Sequence, residues 1–149
     1  MAAAQPATLF LVRHAERAGG MEKDVPISAA GEERAQALAR VLGEAGITTV
    51  VVSEAKRTQQ TAAPIAAKLK LTPVQFKGAE FAQLLAAARG LPPGAKALFV
   101  RHSNELGPLV ESLGGGRIAP VPDSEFDRLL VITLLDGKAV AVSTLCYGR

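Results

Sequence analysis

Two short apolar runs, Leu9-Phe10-Leu11-Val12 and Ala97-Leu98-Phe99-Val100, each end in an Arg-His pair. Continuous apolar runs of this length, closed by polar residues, predict strands buried on both faces. The first strand spans Thr8 to Arg13 and the second Ala97 to Val100. Between them the period changes. After a loop from Ala15 to Ile27, Ala35, Leu38, Ala39 and Leu42 recur at helical spacing, with Ser28 as N-cap and Glu32 and Glu33 in the first turn. Gly43 or Gly46 ends that helix. The β-branched run Ile47 to Val52 predicts a strand, and Ser53 to Leu69 a helix bent near Pro64. Leu71 to Phe76 reads as a strand that Pro73 confines to an edge.

Further on, Phe81, Leu84, Leu85 and Ala88 form one stripe of a short amphipathic helix. Leu91-Pro92-Pro93-Gly94 makes a turn, and a helix from about Asn104 to Leu113 stops at Gly114-Gly115-Gly116. Arg128 to Leu135 and Lys138 to Tyr147 flank Asp136-Gly137, the dipeptide that favours a type I′ hairpin turn. Strands alternating with helices predict an α/β fold, a three-layer sandwich. It has a mainly parallel central sheet with helices on both faces and a C-terminal antiparallel hairpin. No solenoid-length repeat and no linker divides the chain, so residues 1–149 are expected to form a single domain.

Composition narrows the function. No window approaches the roughly 18 uninterrupted apolar residues of a membrane span. The net charge is +3, but tryptophan is absent, Tyr147 is the only tyrosine and no lysine-arginine cluster occurs, which argues against a nucleic-acid face. Cys146 is the only cysteine, so an internal disulfide is excluded. It lies in an apolar segment and is expected to be a buried, inert thiol. Residues 1–7 are expected to be a frayed N-terminal remnant. They read equally as the stretch that follows a removed export signal or as a natural terminus, which leaves the compartment open.

The chemistry gathers at strand ends. Arg13-His14, the stretch from Ser53 to Arg57-Thr58, and Arg101-His102 each follow an apolar strand, and on a parallel sheet such loops emerge on one edge. His14 and His102 are the only histidines. Arginine forks pair phosphate oxygens bidentately and stay ionised, and helix N-termini after Ser53 and Ser103 would add backbone donors. One neutral imidazole can attack phosphorus in line while the second, protonated by an anionic neighbourhood, binds the equatorial oxygens. No metal or other cofactor is needed, because guanidinium and imidazolium supply the positive charge.

Leu11-Val12-Arg13-His14-Ala15-Glu16 resembles the signature of the histidine phosphatase superfamily, which has the phosphoglycerate-mutase-like fold. Ser53 and Arg57-Thr58-Gln59-Gln60-Thr61-Ala62 resemble its second motif, and Val100-Arg101-His102-Ser103-Asn104 its third. The three motifs span positions 11 to 104 in the family's order. The short chain is closest to the small bacterial phosphohistidine phosphatase type. The resemblance implies that His14 is the phosphorylated nucleophile and that Arg13, Arg57 and His102 form the phosphate pocket. Arg101 stands where the family more often has glycine, and strand alternation favours its pointing away from the pocket.

A leaving alkoxide needs a positioned carboxylic acid. Glu16 and Glu80 are the leading candidates and Glu105 a third. As plain surface groups, Glu16 would pair with Arg17 or Arg57, and Glu80 would sit as a charge at a helix N-terminus. Ser53 lacks a Gly-x-Ser-x-Gly elbow and is expected to cap a helix. Asp123 to Arg128 reads as a loop bordering the substrate entrance, without calcium-loop spacing. The expected function is a metal-independent phosphoric monoester hydrolase acting on a phosphorylated small molecule or phosphoprotein. Two alternatives are a phosphohistidine phosphatase in signalling and a phosphate-binding module with little turnover.

Overall fold

The computed structural model describes residues 5–148. Its elements are β1 (Ala7–Arg13), α1 (Ala29–Leu42), β2 (Thr49–Val52), α2 (Lys56–Leu69), β3 (Val74–Gln75), α3 (Phe81–Arg89), β4 (Lys96–Arg101), α4 (Ser103–Ser112), β5 (Arg128–Leu135) and β6 (Lys138–Cys146). The six strands form one sheet in the order β3-β2-β4-β1-β5-β6. β1 runs parallel to β4, β4 to β2 and β2 to β3, while β5 and β6 are antiparallel additions beside β1. This is the α/β architecture read from the apolar pattern.

Alternation along the central strands divides the core. Leu9 and Leu11 of β1 and Phe99 of β4 pack with Leu84 of α3 and Leu106 and Leu109 of α4. Val12, Leu98 and Val100 face the other way, onto Leu38 and Leu42 of α1 and Ala62 and Ile65 of α2. Successive residues of a strand point to opposite faces, so a strand buried on both sides reads as an unbroken apolar run. Helices thus cover both faces.

Local signals explain most boundaries. The Ser28 hydroxyl accepts from the Gly31 amide at 3.1 Å and starts α1, and Gly43 ends it. At the hairpin, Asp136 and Gly137 have φ of 53° and 77°, the two positive values a type I′ turn requires. β3 is an edge strand but only two residues long. α2 begins at Lys56 with Ala55 as N-cap, three residues after the predicted start, because the Ser53 hydroxyl is engaged elsewhere. It continues through Pro64.

Two expectations are corrected. Ala7 is not part of a frayed end: it opens β1, pairs with Leu134 and is buried, because β5 extends past Thr8 and supplies a partner. Residues 1–4 lie outside the described part. Cys146 is exposed, since β6 forms the outer edge of the sheet, beyond the reach of the covering helices. Among the described residues no helix is long and apolar enough to cross a membrane.

Candidate active site

β1 and β4 lie side by side in parallel, and their register sets Arg13 opposite Arg101. The two Arg-His pairs therefore leave the same edge of the sheet as neighbours. The His14 amide donates to the Arg101 carbonyl at 2.9 Å, which continues the pairing by one residue. The rings of His14 and His102 end 5.5 Å apart between centroids, inclined by 64°.

His14 is buried, and its Nδ1 lies 2.8 Å from the Ala15 carbonyl oxygen. A carbonyl only accepts, so Nδ1 carries the hydrogen and Nε2 keeps its lone pair in the neutral ring. Burial is the largest influence on this imidazole and pulls its pKa down to about 4. The Ala15 bond opposes that shift, while the charges of Arg13, Arg57 and His102 add to it. Ala15 is itself fixed. Its amide donates to the Thr61 hydroxyl at 2.8 Å, and that hydroxyl donates to the Arg57 carbonyl at 2.6 Å, fastening the loop after β1 to the first turns of α2.

Two guanidiniums stand at this edge. The Nε atoms of Arg13 and Arg57 are buried and have no hydrogen-bond partner among the described residues. Buried donors in this condition are normally satisfied by a ligand or water. The Nη1 of Arg13 donates to the carbonyls of Pro122, Asp123 and Glu125 at 3.3, 3.0 and 2.9 Å, and its guanidinium carbon sits 4.1 Å over the Phe126 ring. That ring lies 6.2 Å from the His14 ring. The loop before β5 thus forms one wall beside Arg13 and His14.

Burial also lowers the pKa of His102, reinforced by Arg57 and Arg101 and opposed by Glu105 and Glu54. The neighbourhood is mixed in charge and not anionic, contrary to the sequence expectation of a protonated ring. A phosphate dianion between the rings would act in the opposite sense. Ser103 opens α4 beside His102, at the helix end where backbone amides have no intrahelical partner.

The three candidate acids are all committed elsewhere. Glu16 pairs with neither Arg17 nor Arg57: its carboxylate takes Nε and Nη2 of Arg34 at 2.8 and 3.0 Å. Burial, which raises its pKa, is outweighed by that pairing, and the group is held below its ordinary range. A carboxyl kept ionised has no proton to give. Glu80 accepts from the Lys77 amide at 2.8 Å at the start of α3. Glu105 is buried and clamped by Arg101, at 3.1 and 2.8 Å. Arg101 points away from the imidazoles, as strand alternation favoured. It also donates to the carbonyls of Val52 and Phe76 at 2.6 and 2.7 Å.

A cleft of about 590 Å³ opens beside His102, lined among others by Lys23, Asp24, Glu54, Arg57 and Asn104. Another groove of about 570 Å³ runs along α1 past Glu16, Arg34 and Arg40, and neither histidine lines it. Glu54, which stands inside the second motif and lines the cleft beside His102, was not among the candidate acids. Sequence reasoning also missed Phe126, whose place is set by the β5 pairing and by no local pattern. Ser53 was read only as a cap, yet its hydroxyl meets His102. Among the described residues, no group of three or more His, Cys, Asp or Glu side chains is arranged to hold a metal ion.

The sheet order and the site together define a phosphoglycerate-mutase-like fold. Residues 9–79, which include His14, Ser53 and Arg57, match the model of the histidine phosphatase superfamily (branch 1). The fold is similar to that of the protein histidine phosphatase SixA complexed with tungstate. The TM-score is 0.74 at 23% identity, covering 93% of this chain and 96% of the other. It is also similar to a mycobacterial glucosyl-3-phosphoglycerate phosphatase, with a TM-score of 0.66 and 14% identity over 95% and 98% of the two chains. A phosphoglycerate mutase from Plasmodium falciparum gives 0.63 and 16% over 97% and 91%. No curated protein matches the chain significantly in sequence.

Proposed function

We propose that this protein is a metal-independent phosphatase that passes a phosphoryl group from its substrate to His14 and then to water. The observation that carries the reading is the set of groups around one point: two imidazoles 5.5 Å apart, with the unpartnered Nε donors of Arg13 and Arg57 beside them. Nε2 of His14 attacks phosphorus in line, the bond to the leaving group breaks, and water later attacks the phosphohistidine to release phosphate. Arg13, Arg57 and His102 stabilise the charge on the equatorial oxygens, with the α4 terminus at Ser103 as a backbone donor. The similarity to a phosphatase that binds tungstate, a tetrahedral oxyanion, supports a pocket for such a group here.

A second reading concerns the leaving group. Glu16, Glu80 and Glu105 are bonded to Arg34, the Lys77 amide and Arg101, and in Glu54 burial, which raises the pKa, is outweighed by backbone hydrogen bonds that include the Gly78 amide, so none of the four carboxyls is poised to protonate an alkoxide. An imidazole nitrogen leaves with less proton assistance than an alkoxide. That observation favours a phosphohistidine protein as substrate over a phosphomonoester. Incubation with a phosphohistidine protein, aryl phosphates and sugar phosphates in buffer containing EDTA tests both readings. An acid-labile, base-stable label on His14 is expected. Turnover without such a label, or its loss on chelation, overturns the mechanism. A faster rate on sugar phosphates than on the phosphohistidine protein overturns the second reading alone.

Arg57→Ala is expected to weaken vanadate binding by roughly 30-fold, or about 2 kcal/mol, the order of a hydrogen bond to a charged group. Calorimetric titration with vanadate measures it. An unchanged affinity would take Arg57 out of the pocket.

A further inference from the structure

We infer that Ser53, locked by Thr58, is a positioning residue for His102 that holds the ring in both of its protonation states. The inference rests on the placement of His102 in the phosphate pocket proposed above. Ser53 and Thr58 are fully buried, and the Ser53 hydroxyl lies 2.8 Å from Nε2 of His102. The same oxygen accepts from the Ala55 amide at 3.2 Å and lies 3.0 Å from the Thr58 hydroxyl. Thr58 in turn accepts from the Ser53 amide at 3.0 Å and reaches the Ala55 carbonyl at 2.9 Å.

Counting hydrogens shows what this chain of hydroxyls does. The Thr58 proton is committed to the Ala55 carbonyl, an obligate acceptor, and that leaves a Thr58 lone pair facing Ser53. When His102 is a cation, its Nε2–H donates to the Ser53 oxygen, and the Ser53 proton turns to Thr58. When His102 is neutral with an unprotonated Nε2, the Ser53 proton turns to that nitrogen. Both states keep the ring bonded at one place, and the change requires only rotation of one buried hydroxyl. A carbonyl at this position would hold only the protonated nitrogen, and an amide only the bare one.

The role fits what the ring must do. Burial lowers its proton affinity, so it is easily neutral, yet it must donate to phosphate as a cation. The charged groups around it come from several elements: Glu105 on α4, Arg57 on α2, Arg101 on β4, Glu54 before α2, and His14 after β1. Lys23 and Asp24 complete the charged lining of the cleft. Among the described residues, the Ser53 hydroxyl is the side-chain group bonded to Nε2 of His102. The cation gains more from this bond than the neutral ring does, because charge-assisted hydrogen bonds are the stronger ones.

The test is a ring titration by NMR in a His14→Gln background, where His102 is the only histidine and needs no assignment. It does not depend on turnover, so failure of this inference is separable from failure of the phosphatase reading. Ser53→Ala is expected to lower the His102 midpoint by about one pH unit, the shift expected when one hydrogen bond to the charged form is lost. Ser53→Thr, which keeps the hydroxyl, is expected to restore the midpoint. Thr58→Val, which leaves the Ser53 proton without its outer acceptor, should shift it in the same direction by less. In the His14-containing enzyme, the descending limb of kcat/KM should move to lower pH by a matching amount. A midpoint unchanged in Ser53→Ala overturns the inference, and so does an equal shift in Ser53→Thr. If Ser53→Ala does not fold, an unshifted midpoint in folded Thr58→Val overturns it.

Discussion

His14→Ala is expected to abolish turnover, with kcat falling by at least about 10⁴-fold, the order seen when a covalent nucleophile is removed. The other candidate nucleophiles at the strand edge are engaged: Nε2 of His102 is bonded to the Ser53 hydroxyl. The Ser53 hydroxyl is occupied by His102, Thr58 and Ala55, and Arg13 and Arg57 have no lone pair to offer. The neutral tautomer is already selected: Nδ1–H is spent on the Ala15 carbonyl, so Nε2 is the basic nitrogen whenever the ring is neutral. Its pKa of about 4 sets the pH dependence. Above that value the nucleophile is deprotonated and ready, so activity limited by His14 is expected to persist through pH 5 and to fail only as pH approaches 4. An ordinary imidazole would begin to fail near 6.5. Steady-state kinetics on the variant and a pH–rate profile on the parent chain measure both effects. Activity that survives His14→Ala removes the nucleophile, and an acid limb near 6.5 contradicts the burial argument.

What the chain disclosed beforehand follows the range of the interactions involved. The β1 and β4 ends were legible because Leu9 to Val12 and Ala97 to Val100 are local patterns, and an apolar run buried on both faces has one reading. The α1 start at Ser28 and the turn at Asp136-Gly137 were equally local, being decided by caps and turn dihedrals. The parallel contact between Arg13 and Arg101 was legible only as a consequence of topology: parallel strands deliver their ends to one edge. The acids were misjudged because charge partners are chosen in three dimensions. Arg34 meets Glu16 only after α1 packs back on the loop that follows β1. Glu105 stood four residues from Arg101, a spacing at which helical ion pairs form, and that signal was present but unused. Phe126 reaches His14 across 112 residues of chain, which no local pattern encodes.

Arg101 illustrates how far structure and chemistry are joined here, and its replacement is expected to have the largest effect on stability. It is fully buried, pairs bidentately with Glu105, and donates to the carbonyls of Val52 and Phe76. One guanidinium therefore ties together the end of β2, the residue after β3, the end of β4 and the first turn of α4. Arg101→Ala leaves the buried Glu105 carboxylate uncompensated and strips the buried Val52 carbonyl and the half-buried Phe76 carbonyl of a donor. Breaking a buried pair on one side costs about 3–5 kcal/mol, a large share of the roughly 5–15 kcal/mol that holds a domain together. At about 2–4 °C per kcal/mol for a chain of this size, the midpoint should fall by some 10 °C. Removing both charges, as in Arg101→Met with Glu105→Leu, is expected to recover most of that loss, because no buried charge is then left alone. Thermal melts of Arg101→Met, Glu105→Leu and the double variant form the cycle. Single variants within about 1 kcal/mol of the parent, the typical worth of an exposed pair, would mean that the clamp contributes no more than a surface salt bridge. A large loss in the singles with recovery in the double would show that this arginine shapes the strand edge while Arg13 and Arg57 are left to supply its charge.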